Sequence, residues 1–238
     1  MRTVKQIFLP GTDRQFAILS SQVNLEGKTI LIIGGNTSEV AGEFIESKAS
    51  HITIIVEDND SLLQTRMLIK NKENISSKLM EFTSTDFSEE TFDIVYAQAS
   101  ISTTGRNKII KEVKRILKPS GIFCVGENVI FTQKLPVFVK DIFENSGTIP
   151  LLKDEVHKFY SEKNFEVLYE HDLSATLKDF YRTGSSLLNN NINSLSEREK
   201  SYYKKILKQI SHESNAYLNL GGENYFGFTM LILRKNSK

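Results

Sequence analysis

The chain has 238 residues, of which 25% are charged and 39% hydrophobic, as in ordinary globular domains. Thirty basic against 29 acidic side chains leave a formal net charge of +1, so no overall field favours nucleic acid or an anionic membrane as a partner. The single cysteine, Cys124, excludes an internal disulfide framework and a multi-cysteine zinc site. No apolar run has the length of a membrane span, and the first residues lack the apolar core of a signal peptide, so we expect a cytoplasmic protein.

Strand and helix patterns alternate through the first half of the chain. Apolar, β-branched segments predict five buried strands, at 29–35, 51–57, 78–82, 92–97 and 121–127. Helical spacing of apolar residues predicts helices between them, at 38–48, 61–71 and 107–117. In the helix at 61–71 the expected apolar face consists of Leu62, Leu63, Met67 and Ile69.

The last third of the chain breaks this alternation. A helical stretch near 151–161 precedes a strand pattern at 165–173, and a long polar, mostly helical stretch at 174–216 precedes a final strand pattern at 224–235. Within the polar stretch, Ser196 and Glu199 have the spacing of a helix capping box. The fold class predicted is α/β: a Rossmann-like, doubly wound, mainly parallel sheet of seven strands, with an antiparallel strand near one edge.

The same pattern predicts where a ligand would bind. In open α/β sheets ligands lie beyond the carboxyl ends of the strands, near the point where strand order reverses. The polar and glycine residues that follow the five predicted strands are Gly34, Gly35, Asn36, Thr37, Glu57, Asp58, Asp86, Gln98, Ser100 and Glu127.

The first two strand ends favour a ligand of the nucleoside type. Glycines such as Gly34 and Gly35 let the backbone approach a ligand closely, and the helix after them points its N–H groups at it. A carboxylate at the end of the second strand, here Glu57, is placed to accept both hydroxyls of a ribose.

These motifs, taken in order, resemble the class I S-adenosylmethionine-dependent methyltransferases. The glycine motif of that family corresponds to LIIGGNTSEVA (31–41), and its acidic residue after the second strand corresponds to Glu57 in IIVEDND. Asp86 and Phe87, in STDFSEETFDIV, are similar to the pair beside the adenine. EVKRILKPSGIF (112–123), LPGTDRQFAILSSQV (9–23) and NYFGFTMLILRK (224–235) are similar to the lead into the fifth strand, the N-terminal cap helix and the closing strand. Ile32, Asn36 and Ser38 depart from the glycine motif, since the family has aspartate and two glycines there.

The resemblance implies S-adenosylmethionine as cofactor and methyl transfer to a small-molecule acceptor. The residues it places at the cofactor are Gly34, Gly35, Asn36, Glu57, Asp58, Asp86, Phe87 and Gln98. Glu127, after the fifth strand, and His171, at the end of a late strand, are the candidates for a catalytic role. No metal is expected.

The domain organisation expected is a single methyltransferase-like unit over 1–238. It comprises a cap helix (1–26), a Rossmann-like core (27–173), a helical lid (174–216) that builds the acceptor pocket, and the final strand (224–235). Aromatic residues of the last third could line that pocket for a hydrophobic or planar acceptor, or could form the core beneath the insert.

The altered glycine motif leaves open a catalytically inactive partner subunit, in a homo- or hetero-oligomer. A nicotinamide dehydrogenase is disfavoured, because the residues from Gly34 lack the third glycine of the dinucleotide fingerprint.

Overall fold

The structure is a computed structural model that describes residues 7–70, 72–191 and 211–236. Within these residues the strands are β1 (Thr29–Ile33), β2 (His51–Val56), β3 (Ile75–Leu79), β4 (Phe92–Gln98), β5 (Leu117–Ile130), β6 (Leu151–Leu152), β7 (Phe165–Asp172) and β8 (Phe226–Lys235). They form one sheet in the order β3-β2-β1-β4-β5-β8-β7, and the two-residue β6 pairs with β5. β8 is antiparallel to both of its neighbours, while the pairs from β3 to β5 are parallel. The predicted fold class is confirmed.

Helices cover both faces of this sheet. They are α1 (Thr12–Gln22), α2 (Ser38–Glu46), α3 (Asn59–Leu68), α4 (Arg106–Ile116), α5 (Val137–Ser146), α6 (Val156–Ser161) and α7 (Thr176–Asn191). An eighth helix, α8, is described over 211–218. The apolar side chains of α1, α2, α3, α5 and α7 share one buried cluster, and those of α4 and α6 share another on the opposite face.

Alternation along the strands explains both clusters. Ile30 and Ile32 belong to the first cluster, whereas Leu31 and Ile33 belong to the second. Because successive side chains point to opposite faces, a strand covered on both sides must be apolar throughout. Ile32, which stands where the related family has an aspartate, is fully buried in the first cluster.

Two strand boundaries and one helix face differ from prediction. β3 begins at Ile75 and ends at Leu79, three residues earlier than expected, because Ile75 fills the core and pairs with Ile52. β5 begins at Leu117, directly after α4, and a register irregularity between Phe92 and Ile94 of β4 accommodates the KPSG segment.

The apolar face of α3 is the third difference. Leu62 and Ile69 are buried as predicted, but Leu63 is 52% exposed and Met67 is 70% exposed. Thr65 takes the inward position between the buried residues, because α3 lies near the edge of the sheet and only one narrow stripe of it faces the core.

The segment between β7 and β8 is described in part. α7 begins at Thr176 and α8 ends at residue 218, and the predicted capping box of Ser196 and Glu199 lies outside the described residues. The lid over 174–216 therefore stays a prediction. α5 was not predicted from the sequence. In the part of the chain described here, no helix has both the length and the apolarity needed to cross a bilayer.

Candidate cofactor site

The strand order reverses between β1 and β4, and this reversal places the candidate site. From β1 the chain proceeds outward through β2 to β3, and it then returns to β4 on the other side of β1. Helices that leave adjacent strands on opposite faces diverge at such a point and leave a crevice. The loops after β1, β2 and β4 border this crevice.

The loop after β1 forms a tight turn. Gly34 has φ 114°, a conformation that side chains other than hydrogen rarely allow, and its N–H donates to the carbonyl of Ile55 at 2.9 Å. The Thr37 hydroxyl donates to the carbonyl of Gly34 at 3.0 Å and closes the turn. Asn36 has φ 58°, the left-handed conformation that asparagine tolerates, so the loop forms without the glycine that the related family has there.

Two serines flank this loop, one on each side. A β-carbon on Gly34 would lie 2.7 Å from Ser100 Cβ in the loop after β4, and one on Gly35 would lie 3.3 Å from Ser61 Oγ of α3. Ser100 Oγ is buried and has no hydrogen-bond partner among the described residues. A buried hydroxyl of this kind, beside a turn that only glycine fits, is a feature that a bound ligand would satisfy.

Glu57 lies at the end of β2 and is exposed. Its Oε1 accepts a hydrogen bond from the N–H of Phe82 at 2.8 Å, so the carboxylate is held between the ends of β2 and β3. Among the residues described, Glu57 Oε2 has no protein donor, which leaves an oriented carboxylate oxygen at the crevice.

This contact also identifies two residues that the sequence analysis missed. Glu81 and Phe82 follow β3 and stand next to Glu57, with Glu81 exposed and Phe82 buried. The sequence pattern predicts a third strand that ends at Phe82, whereas β3 ends at Leu79. The pattern therefore does not mark these two residues as lying at a strand end.

Asp86 and Phe87 occupy a different place from the one predicted. Asp86 is exposed and pairs with Lys78 at 3.7 Å. Phe87 packs edge-on against Phe92, the first residue of β4, with ring centroids 4.9 Å apart. Since Phe92 lies at the amino end of its strand, this contact carries Phe87 away from the carboxyl-end crevice. The geometry gives neither residue a part in the site.

Asp58 has a structural role at the start of α3. Its Oδ1 accepts a hydrogen bond from the N–H of Ser61 at 2.8 Å, which makes it the N-cap of the helix. Asp58 is exposed and follows Glu57 directly, just beyond the carboxyl end of β2.

Gln98 anchors the N-terminal segment, and the protein engages both donors of its amide nitrogen as well as its amide oxygen. Its Nε2 donates to the carbonyls of Pro10 and Thr12, both at 2.8 Å, and its Oε1 accepts from the hydroxyl of Tyr96 at 2.7 Å. The predicted direct cofactor contact is therefore replaced by an indirect role, because the side chain fixes the start of α1 against β4.

A second glutamine continues this attachment. Gln15 of α1 is fully buried and donates to the carbonyl of Ala97 at 3.1 Å and to Cys124 Sγ at 3.7 Å. A β-carbon on Gly126 would lie 2.1 Å from Gln15 Oε1, so the helix fits closely over β5. Cys124 is fully buried, and burial raises the pKa of its thiol to about 12, which disfavours the nucleophilic thiolate.

Glu127, the first catalytic candidate, is fully buried within a polar cluster. Ser102 Oγ donates to its Oε2 and the Tyr160 hydroxyl donates to its Oε1, both at 2.5 Å. Arg106 forms an ion pair with the same carboxylate at 3.0 Å. Because its side chain points to the face of the sheet covered by α4 and α6 and both oxygens are occupied, Glu127 has no access to a substrate as a base.

His171, the second catalytic candidate, lies on the outermost strand. It is exposed and pairs with Met230 of β8. β7 is four strand positions from β1, a separation of about 19 Å at the usual spacing of about 4.8 Å. This distance places His171 outside the crevice.

The aromatic residues of the last third pack mainly against one another. Phe180 contacts Phe8 at 4.9 Å between ring centroids, Tyr181 contacts Tyr217 at 5.1 Å, and Tyr217 contacts Phe226 at 5.0 Å. All but Phe8 are buried, so they form the apolar core between α7, α8 and the sheet.

The strand order, the glycine turn after β1 and the carboxylate after β2 resemble those of the class I S-adenosylmethionine-dependent methyltransferases. Consistent with this, residues 33–125 match the family model described as "Methyltransferase domain". The resemblance noted from the sequence motifs is confirmed.

Individual relatives agree with this class. The chain is 26% identical, over 171 residues, to sterol 24-C-methyltransferase ERG6B of Gibberella zeae, a match that spans 63% of this chain and 42% of that protein. The chain thus covers less than half the length of this curated relative. Its fold is similar to that of phosphoethanolamine N-methyltransferase 2 of Haemonchus contortus (TM-score 0.76, 13% identity, 96% of this chain and 54% of the other).

A third similarity is to a protein of different chemistry. The [4+2]-cyclase SpnF has a TM-score of 0.75 and 19% identity, over 95% of this chain and 81% of the other. At such identities the likeness concerns the fold alone. The alternative of an inactive partner subunit gains no support from the family match or from the methyltransferase relatives.

Proposed function

We propose that this protein transfers a methyl group from S-adenosylmethionine to a small-molecule acceptor. The observation that carries the proposal is the convergence of three features at the switch point of the sheet. They are the Gly34 turn, the oriented carboxylate of Glu57 and the Ser100 hydroxyl, which has no partner within the described part of the chain. Each of these features suits one part of a nucleoside ligand.

The residues present fit the cofactor. Glu57 would accept hydrogen bonds from the ribose hydroxyls, and the backbone from Gly34 to Thr37 would approach the cofactor closely. Glu81 and Phe82 would border the adenine, and Ser100 would donate to or accept from the cofactor beside the Gly34 turn. Asn36 and Asp58 would border the same pocket.

Methyl transfer requires few chemical roles from these side chains. When bound, S-adenosylmethionine supplies an electrophilic methyl group, so the protein has to align the acceptor with it and exclude water. The histidines lie elsewhere: His51 starts β2 at its amino end, His157 is on α6, His171 is on the edge strand and His212 is exposed on α8. We infer that alignment, rather than a histidine base, supplies most of the catalysis.

We infer further that the acceptor has substantial apolar surface. α1 and α7 contact each other, and partly exposed apolar side chains such as Phe8, Phe138 and Tyr225 adjoin the aromatic core beneath α7 and α8. Because Gln98 and Gln15 hold α1, we expect that helix to be a fixed wall of the acceptor pocket. The segment 174–216 remains the proposed lid of this pocket.

The test is binding followed by turnover. Calorimetric titration with S-adenosylmethionine and S-adenosylhomocysteine should give micromolar dissociation constants. The protein should then release S-adenosylhomocysteine when it is incubated with a sterol, and less with phosphoethanolamine. Absence of binding at millimolar cofactor would overturn the proposed function. Binding with faster turnover of phosphoethanolamine would overturn the apolar acceptor alone.

A further inference from the structure

A buried polar cluster joins the loop after β4 to distant parts of the sheet. It consists of Ser102, Arg106, Glu127 and Tyr160, and each of these residues is at most 6% exposed. Ser102 and Arg106 belong to the loop and to the first turn of α4, Glu127 belongs to β5 and Tyr160 belongs to α6. One carboxylate therefore binds side chains from three other parts of the chain.

Backbone contacts extend this attachment. The carbonyl of Ser102 accepts from the N–H of Ile149 at 2.8 Å, and the Ser102 hydroxyl accepts from the N–H of Asn128 at 3.3 Å. The guanidinium of Arg106 also donates to the carbonyl of Ile149. Ser102 is thus held at two points. Glu127 binds its side chain, and the segment before β6 binds its carbonyl.

The loop held in this way is also one wall of the cofactor crevice. Ser100 lies two residues before Ser102, and its side chain is the group that Gly34 approaches most closely. The N–H of Ala99 donates to the carbonyl of Gly126 at 3.1 Å, so the start of the loop is attached to β5 beside Glu127.

We propose that Glu127 and Ser102 are positioning residues that hold the loop 99–105 against the Gly34 turn and so set the geometry of the cofactor crevice. This inference rests on the proposed function. A carboxylate suits the task because its hydrogen bonds are directional, whereas apolar side chains would fill the same space without fixing the loop. Buried charges are a costly way to stabilise a fold, so their presence here is better explained by positioning.

The Tyr160 hydroxyl of this cluster keeps its proton. Burial, together with the neighbouring carboxylate of Glu127, raises the pKa of the Tyr160 hydroxyl well above its ordinary value. Tyr160 therefore remains a hydrogen-bond donor across the pH range in which the protein would act.

The chain offers a matched control for Ser102. Thr85 Oγ1 donates to Glu112 at 2.5 Å, and Glu112 is paired with Arg115, so this hydroxyl also meets a buried carboxylate beside an arginine. Thr85 precedes β4, whereas Ser102 follows it, and no described contact joins Thr85 to the loop 99–105. Thr85→Val and Ser102→Ala each remove one such hydroxyl.

Two measurements on the full-length protein test the proposal. Hydrogen exchange of residues 99–106 without cofactor should become faster in Ser102→Ala and stay unchanged in Thr85→Val. The affinity for S-adenosylhomocysteine should fall roughly ten-fold in Ser102→Ala only, at a temperature where both variants are folded. Ser102→Thr, which keeps the hydroxyl, should restore much of the affinity, and Glu127→Gln should resemble Ser102→Ala.

The outcomes separate the two proposals. If Ser102→Ala and Thr85→Val lower the melting temperature alike and neither changes loop exchange or affinity, the cluster is only structural and the inference is overturned. If wild-type protein fails to bind S-adenosylhomocysteine, the proposed function is overturned, and with it the cofactor part of this inference. The exchange data would still report whether Ser102 holds the loop.

Discussion

Gly34 and Ser100 meet at the switch point of the sheet so closely that a β-carbon on Gly34 would lie 2.7 Å from Ser100 Cβ. The two residues belong to the loops after β1 and β4, which leave the sheet on opposite faces. Their contact forms the floor of the crevice in which we place the cofactor.

The first prediction concerns this contact. Gly34→Ala should destabilise the protein by about 2 kcal/mol, because alanine at φ 114° is strained and its methyl group displaces Ser100. The affinity for S-adenosylhomocysteine should fall as well. Thermal unfolding and calorimetric titration measure the two effects.

Gly35→Ala is the control for that variant. Its added methyl group would lie 3.3 Å from Ser61 Oγ, a contact that a small side-chain rotation relieves. Equal losses in the two variants would show that the loop tolerates no side chain at either position and that the Ser100 contact is not special.

A second prediction separates the two oxygens of Glu57. Glu57→Gln retains an amide oxygen for the N–H of Phe82 but replaces the other carboxylate oxygen with a donor. Charge-assisted hydrogen bonds are worth about 1.5–3 kcal/mol, so the affinity for S-adenosylhomocysteine should fall about ten-fold or more while the melting temperature changes little.

Asp58→Asn serves as the comparison for Glu57→Gln. It removes the adjacent charge and keeps the cap of α3, since asparagine caps helices as well as aspartate does. Wild-type affinity in Glu57→Gln would show that Glu57 does not bind the cofactor. A larger loss in Asp58→Asn would show that Asp58, and not Glu57, makes the ribose contact.

The third prediction concerns the attachment of α1. Gln98→Met leaves the Tyr96 hydroxyl and the carbonyls of Pro10 and Thr12 without their partner. The free energy of unfolding should therefore fall by about 2 kcal/mol or more. Hydrogen exchange should become faster over residues 9–23. Gln22→Met, at an exposed position on the same helix, should change neither quantity. Unchanged exchange over 9–23 in Gln98→Met would show that α1 is held by other contacts.

The fourth prediction concerns acid stability. Burial alone would raise the pKa of Asp93, but the hydrogen bonds from Lys118 and Thr29 outweigh it and lower the pKa from 3.8 to about 2. A carboxyl whose pKa is lowered by folding stabilises the protein above its unfolded pKa, and this contribution disappears as the pH falls from about 4 to about 2. After allowance for the partial exposure of Asp93, the loss should be about 1–2 kcal/mol.

Denaturant unfolding measured from pH 5 to pH 2 tests this prediction. Asp93→Asn should be less stable at pH 5 and should decline less steeply on acidification. Asp141→Asn, at an exposed position on α5, should follow the wild-type curve. Parallel curves for wild type and Asp93→Asn would mean that the ion pair with Lys118 adds no stability.

Much of this architecture could be predicted from local patterns. The runs from Thr29 to Ile33 and from His51 to Val56 are strands because apolar, β-branched segments of that length satisfy a sheet covered on both faces. Gly34 and Glu57 could be assigned to the crevice because a residue at the carboxyl end of a parallel strand has its position fixed by the topology. Ile75 lies in the polar segment ISSKL and joins the core only through its pairing with Ile52. The local pattern therefore predicts the third strand three residues too late in the chain.

The roles of side chains within the site depend on partners far away in the sequence. Gln98 and Glu127 both follow predicted strands, as ligand-binding residues do, yet Gln98 binds Pro10 and Thr12, and Glu127 binds Arg106 and Tyr160. A polar side chain at a strand end can face the crevice or the protein interior, and strand periodicity does not say what it will meet there. That choice is made when helices such as α1 and α6 pack against the sheet and their hydrogen-bonding groups need buried partners.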